Sequence, residues 1–281
     1  MTAGDWPRST RLAAPRVIER IAAITGVRLI LEGPAPGGEV GAAYVRWPDG
    51  RRSVLTEGRA RAGPLLDLAR AAGVPTARYE LSAHVDGARI VVQQRLPGAP
   101  PATVDAELVH AMIVLNDRLA GLLAGRWDVP PVELFLTTDG PGFCLHWPLK
   151  AYGARSARLL DWIHEVGAFA PDLDDGEDLV HLDYHPSNIL ISGRRISGVV
   201  DWDGAGRGDR HLDLVTLRFD LAARAPHLVG PVDERLAAVT ADRLRAYWAH
   251  MSLRLVDWAI RHHHAEAVDS WLAIAESGMR H

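Results

Sequence analysis

The run His181-Leu182-Asp183-Tyr184-His185-Pro186-Ser187-Asn188, with Val199-Val200-Asp201-Trp202-Asp203 after it, leaves the chain little freedom in how it folds there. Asn188-Ile189-Leu190-Ile191-Ser192 reads as a strand, Gly193-Arg194-Arg195 as a turn, and Ile196-Ser197-Gly198-Val199-Val200 as a returning strand. With the turn centred near Arg194, antiparallel pairing sets Asn188 opposite Val200 or Asp201, so a carboxamide and a carboxylate converge at the open end of one hairpin. Two hard oxygen donors suit magnesium, which takes one or two protein ligands and completes its shell from substrate phosphates. Asp183, across a proline-containing loop from Asn188, is then left to accept a proton as a general base. Alternation of His181, Asp183 and His185 on a continuous strand would instead offer one face to zinc, but Pro186 interrupts any such strand.

The rest of the chain changes character once. Val17, Ile18, Ile21, Ala22 and Ile24 predict a helix over 14–25, and 27–32, 40–47 and 52–56 read as strands with glycine and proline turns between them. A helix over 63–72 comes next, in a portion that is strand-rich from 27 to 96. From Pro97 the pattern turns helical: Leu108, Met112, Leu115, Leu119 and Leu122 recur at steps of three and four, with Thr103 as a cap, and Leu159, Leu160, Ile163 and Val166 mark another helix. Leu236, Leu244, Trp248, Met251, Leu255 and Trp258 predict one long helix or a bent pair, followed by a last helix to about Ser277. A net charge of -4 offers no basic field for nucleic acid, and no apolar run approaches the roughly 18 residues of a membrane span. The N-terminal stretch lacks the charged start and apolar run of a secretion signal, and the single cysteine, Cys144, excludes an internal disulfide; a cytoplasmic protein is expected.

On the spacing of Asp183, Asn188 and Asp201 the chain resembles the aminoglycoside phosphotransferase and choline kinase type of small-molecule kinase, a relative of protein kinases. The resemblance implies an α+β, bilobal, protein-kinase-like fold, with a small antiparallel-sheet lobe over 1–96, a larger helical lobe over 97–281, and the nucleotide between them. It makes Asp183 the catalytic base and Asn188 and Asp201 the magnesium ligands, with Asp209 and Asp213 supporting the catalytic loop. Gly37, Gly38 and Gly41 would lie over the phosphates of ATP or GTP, and backbone groups near Gln94 and Leu96 would hold the purine edge.

The chain departs from that pattern at the third strand, where such kinases carry a phosphate-pairing lysine and this one has Thr56. Thirty of its 31 basic residues are arginine, Lys150 being the exception, and Asp67 is the only carboxylate of the following helix. Either an arginine substitutes, with Arg52 on the face of Thr56 and Arg46 and Arg59 as the other candidates, or metal and backbone hold the phosphates. A nucleotide-binding scaffold without catalysis is the rival reading, against which the intact Asp183, Asn188 and Asp201 stand. The acceptor is expected to be a hydroxyl on a small molecule, an aminoglycoside, nucleoside or basic peptide antibiotic, so that the activity would confer resistance. Candidate contacts are Asp203, His211, Trp258, His262, His263, His264 and Asp269, with the three histidines placed inside a helix. The acidic stretch Asp172, Asp174, Asp175, Glu177 and Asp178 would attract a cationic acceptor.

Overall fold

The computed structural model describes residues 12–35, 41–59, 61–170 and 176–280; Gly37, Gly38, Asp172, Asp174 and Asp175 lie outside them. The first portion runs α1 (Ala14–Thr25), β1 (Ile30–Ala35), β2 (Ala42–Arg46), β3 (Arg52–Glu57), α2 (Ala62–Ala71), β4 (Tyr79–Val85) and β5 (Ala88–Gln94). Helices α3 (Ala106–Asp117), α4 (His146–Tyr152) and α5 (Ala154–Phe169) follow, then short strands β6 (Asp178–Val180), β7 (Ile189–Ser192), β8 (Arg195–Val199) and β9 (Gly206–Gly208). The chain closes with α6 (His211–Arg224), α7 (Gly230–Leu236), α8 (Ala241–His262) and α9 (Ala265–Ser277). Of the described residues, those up to 101 together with 187–205 form one compact unit, and 102–186 with those from 206 onward form a second. The fold is α+β, with a small antiparallel sheet in the first unit and helices dominating the second, as the sequence pattern predicts.

In the sheet unit five strands lie in the order β1-β2-β3-β5-β4, every neighbouring pair antiparallel. Alternation gives the sheet one oily face: Ala43, Val45, Leu55, Ile90, Val92, Ala83 and Val85 are buried with Val17 and Ile21 of α1. Burying a side chain the size of Ile21 stabilises by about 1.5–3 kcal/mol, so this helix is held by packing more than by its own propensity. Pro15 in its first turn and Gly26 at φ 74°, whose N–H bonds the Ala22 carbonyl, set its ends. The first strand begins three residues later than the pattern suggests, and β4 is an additional strand whose Leu81, Ala83 and Val85 alternate with Glu80, Ser82 and His84. Asp86-Gly87 joins β4 to β5 with φ of 48° and 88°, the two positive values that a type I′ hairpin needs.

The β7–β8 hairpin belongs to this unit because the chain after β5 pairs with it. Ala99 and Ile191 exchange backbone hydrogen bonds of 3.2 and 2.8 Å, and the Val199 N–H donates to the Pro75 carbonyl at 2.8 Å. Ser197 is the extra residue of a bulge in β8, and its hydroxyl donates to the Pro97 carbonyl at 2.6 Å. Gly98, at φ 98°, has room for no side chain: a Cβ there would stand 2.4 Å from the Ile191 carbonyl oxygen.

In the helical unit Asp105, not Thr103, caps α3, accepting from the Leu108 N–H at 2.8 Å. The long C-terminal pattern resolves into α7 and α8, broken at 237–240. His262 is the last residue of α8, His263 follows it and His264 caps α9, so the three histidines span a junction instead of lying inside a helix. Lys150 sits exposed in the last turn of α4. No helix among the described residues is long and apolar enough to cross a membrane.

Candidate active site

In the helical unit the chain leaves β6 into a turn that aims Asp183. Leu182 adopts φ 71°, a left-handed conformation that costs a non-glycine residue about 1–2 kcal/mol. Asp213, in the first turn of α6 and fully buried, accepts from the His181 and Leu182 N–H groups, both at 2.8 Å. Two hydrogen bonds at about 0.5–1.5 kcal/mol each offset what the strained residue costs. Burial pushes the Asp213 carboxyl up to about 7 against the downward pull of those two amides. Tyr184, also buried, anchors the next residue by donating to the Met112 carbonyl of α3 at 2.8 Å.

Asp183 therefore leaves a fixed backbone. Its Oδ1 accepts from Arg254 Nη2 of α8 at 3.2 Å, and its Oδ2 lies 3.4 Å from His185 Nε2. Burial alone would raise this carboxyl, but the His185 hydrogen bond, the Arg254 guanidinium and the nearby His181 outweigh it and hold the group well below the ordinary carboxylate range. His185 is shifted the other way: burial lowers it, and Asp183 and Asp220 together raise it above the ordinary histidine value. Asp209 receives the His211 N–H at 2.9 Å, the His211 ring at 2.6 Å and the Tyr247 hydroxyl at 3.0 Å, which bring it down despite burial.

The sheet unit carries the other candidates. Ile189 pairs with Val199, and the Val200 N–H donates to the Asn188 carbonyl at 2.9 Å, so Asn188 stands opposite Val200 and one residue from Asp201. Gly193 fills the first loop position at φ 64°, where a type II′ turn takes glycine. Asp201 itself sits at φ 65°, a value aspartate tolerates better than most side chains. A carboxamide and a carboxylate at one hairpin end are a donor set that fits magnesium. Asp203 accepts from the Arg59 N–H at 3.3 Å; burial raises its carboxyl, with Arg59 and Arg61 acting against the rise. The Tyr79 hydroxyl is pushed up by burial and by the carboxylates of Asp203 and Asp201.

Arg46 and Arg52 both engage Glu32, each at 3.3 Å, on an exposed part of the sheet. Thr56 lies on the same face as Arg52, between Ala42 and Val91 in the ladder, and Asp67 pairs with Arg70 at 2.6 Å. Gln94 ends β5 with its N–H on the Arg78 carbonyl, Leu96 reaches the hairpin near Gly198 and Leu190, and Gly41, at φ 82°, directly precedes β2. Of the proposed acceptor contacts, Trp258 and His262 come together with His263, Trp271 and Phe143 at the α8–α9 junction, Asp269 engages Arg155 at 3.2 Å, and His211 is tied to Asp209. Among the described residues no three His, Cys, Asp or Glu side chains gather as a metal site, so the zinc reading has no ligand set there. Sequence reasoning missed Arg254, whose signal is a polar stripe, His250, Arg254, Asp257 and Arg261, along an otherwise buried helix.

A family model described as a phosphotransferase enzyme family matches residues 38–253. Over 74 residues the chain is 30% identical to the hygromycin-B 4-O-kinase of Escherichia coli, covering 26% of this chain and 22% of that protein. That match spans about a fifth of the relative's length. Among solved structures the chain is similar to a thermostable mutant of aminoglycoside phosphotransferase APH(4)-Ia in complex with AMP-PNP and hygromycin B, with TM-score 0.68, 18% identity, and coverage of 94% of this chain and 98% of that one. It is also similar to the spectinomycin phosphotransferase APH(9)-Ia in complex with ADP and spectinomycin, with TM-score 0.64, 13% identity, and coverage of 96% and 99%.

Proposed function

The chain belongs to the phosphotransferase enzyme family, and from that premise we propose that it is a small-molecule kinase acting on a hydroxyl of an antibiotic. The observation that carries this reading is Asp183, a carboxylate on a locked turn, gripped at one oxygen by Arg254 and approached at the other by His185. A carboxylate kept so acidic is a weak base in its resting state. Its work is then to orient the acceptor hydroxyl and to take the proton once attack on the terminal phosphorus has advanced.

Asn188 and Asp201 would hold the magnesium ion, whose charge neutralises that of the nucleotide phosphates. Residues 1–96 would bind ATP or GTP, and 97–281 would carry the catalytic loop and the acceptor site. In place of the missing lysine we assign Arg59 and Arg61, whose charges act on the carboxylate of Asp203, while Arg46 and Arg52 are engaged by Glu32. The relatives named above act on hygromycin B or bind it or spectinomycin, which favours an aminoglycoside-type acceptor and a role in resistance, in the cytoplasm where nucleotide donors are made.

The test is transfer of label from ATP or GTP, with magnesium, to a panel that includes hygromycin B, spectinomycin and choline. One compound should gain a phosphate; nucleotide binding without transfer to any member would favour the scaffold instead. Asp201→Asn tolerates the left-handed backbone and removes only charge. It should abolish the magnesium-dependent thermal stabilisation by nucleotide, which at a ligand concentration of 100 times Kd is worth about 2.7 kcal/mol in the unaltered protein. An undiminished shift in the variant would remove Asp201 from the metal site.

A further inference from the structure

Helix α8 carries a polar stripe along a buried face, His250, Arg254, Asp257 and Arg261 at steps of four, three and four. Three of the four fasten the segment that precedes α4. His250 donates through Nδ1 to the Leu134 carbonyl at 2.8 Å, Asp257 accepts from the Leu145 N–H at 2.9 Å, and Arg261 bridges Asp257 and the Gly142 carbonyl. Arg254 does something else with its guanidinium, donating to Asp183 Oδ1. The arginine retains 20% exposure and the aspartate 29%, so the pair is largely shielded and its attraction only partly screened.

We propose that Arg254 is a positioning residue for Asp183, fixing the rotation of the carboxylate from a helix remote in sequence while His185 steadies the second oxygen. The functional consequence rests on the kinase reading; the contact does not. A carboxylate held by one partner can swing about its χ2 axis, whereas one held at both oxygens from two elements presents a preset edge to an incoming hydroxyl. Among the described residues, the charged and titratable groups facing it include His181, whose Nδ1 accepts the Asp183 N–H at 3.2 Å, His185, Arg254, and the carboxyls of Asp213 and Asp220, the latter paired with Arg224 at 2.9 Å. Arg254 is a permanent cation in contact with Asp183, so its removal should change the proton affinity of the carboxyl, which loss of an arginine with no bearing on Asp183 would not.

The experiment uses the full chain labelled with carboxyl-13C aspartate, in the unaltered protein and in R254Q and R254K, with the Asp183 signal identified by its loss in D183N. The midpoint of Asp183 should rise by about 1 to 3 pH units in R254Q and return most of the way in R254K. An unchanged midpoint in R254Q overturns the proposal. R254M, which keeps the buried stem, is the second neutral variant if R254Q does not fold by circular dichroism. Transfer to hygromycin B from the magnesium-bound nucleotide gives the second readout: kcat should fall about 10- to 100-fold with KM for nucleotide unchanged, and an unaltered kcat counts against positioning. If the unaltered protein transfers nothing to any acceptor, the kinase reading fails by itself, and the titration still decides whether Arg254 governs Asp183.

Discussion

Asp183→Ala should lower turnover by about 10² to 10⁴ while the protein stays folded, the scale on which a positioned proton acceptor contributes. The backbone of the turn is fixed by groups that do not include the Asp183 side chain: the Asp213 carboxylate holds the two preceding amides and the Tyr184 hydroxyl holds Met112. Truncation therefore removes the proposed proton acceptor and leaves its platform in place. Arg254 and His185 lose their counter-charge, but both are partly exposed and can turn toward water. If Asp183 orients the acceptor, kcat falls and KM for nucleotide does not; Asp183→Asn, which keeps shape and loses charge, should be impaired almost as severely. Steady-state kinetics with circular dichroism as the control would read this, and full turnover in either variant would remove Asp183 from the chemistry.

Asp213→Ala is expected to be the most damaging single change to stability outside the apolar core. It strands two buried N–H donors at about 1–3 kcal/mol each and releases the left-handed turn at Leu182 that those bonds stabilise. A loss of roughly 2–5 kcal/mol follows, a large share of the 5–15 kcal/mol typical of a folded domain. Asp213→Asn keeps one acceptor oxygen and should fall between the two. The pH dependence has a definite sign. With its carboxyl pushed up to about 7 from an ordinary value near 3.9, the folded protein keeps a proton that the unfolded chain releases. The contribution of this group is thus fully present below about pH 4 and declines as pH rises through 7. Asp213→Asn cannot ionise and should lack that decline. Denaturant unfolding at pH 5 and pH 8 would measure it, and parallel pH profiles in the two proteins would refute the assignment.

The parts of this fold legible in the sequence were those governed by local chemistry. The register of β7 and β8 follows from a glycine turn and two short apolar runs, which is why the sequence alone sets Asn188 and Asp201 at one end of a hairpin. Asp86-Gly87 and the alternation before it carry the same local signal for β4. Helix α6 was different. Leu212, Leu214, Val215, Leu217, Phe219 and Leu221 are buried on nearly every side, so no single stripe announces a helix. The triple histidine misled because a helical pattern on each side hides a break that only the junction of α8 and α9 reveals. Arg254 lies 71 residues beyond Asp183, and a pairing of that kind has no local signature beyond a charge in a helix whose neighbours are apolar.

Lys150 has a practical meaning. Because the other thirty basic side chains are guanidinium groups that acylating reagents leave untouched at neutral pH, amine-directed chemistry reaches one exposed side chain, at the end of α4, and the chain terminus. A dye or a surface tether can thus be attached at a known place, with every arginine proposed to meet phosphate or carboxylate left in its native form.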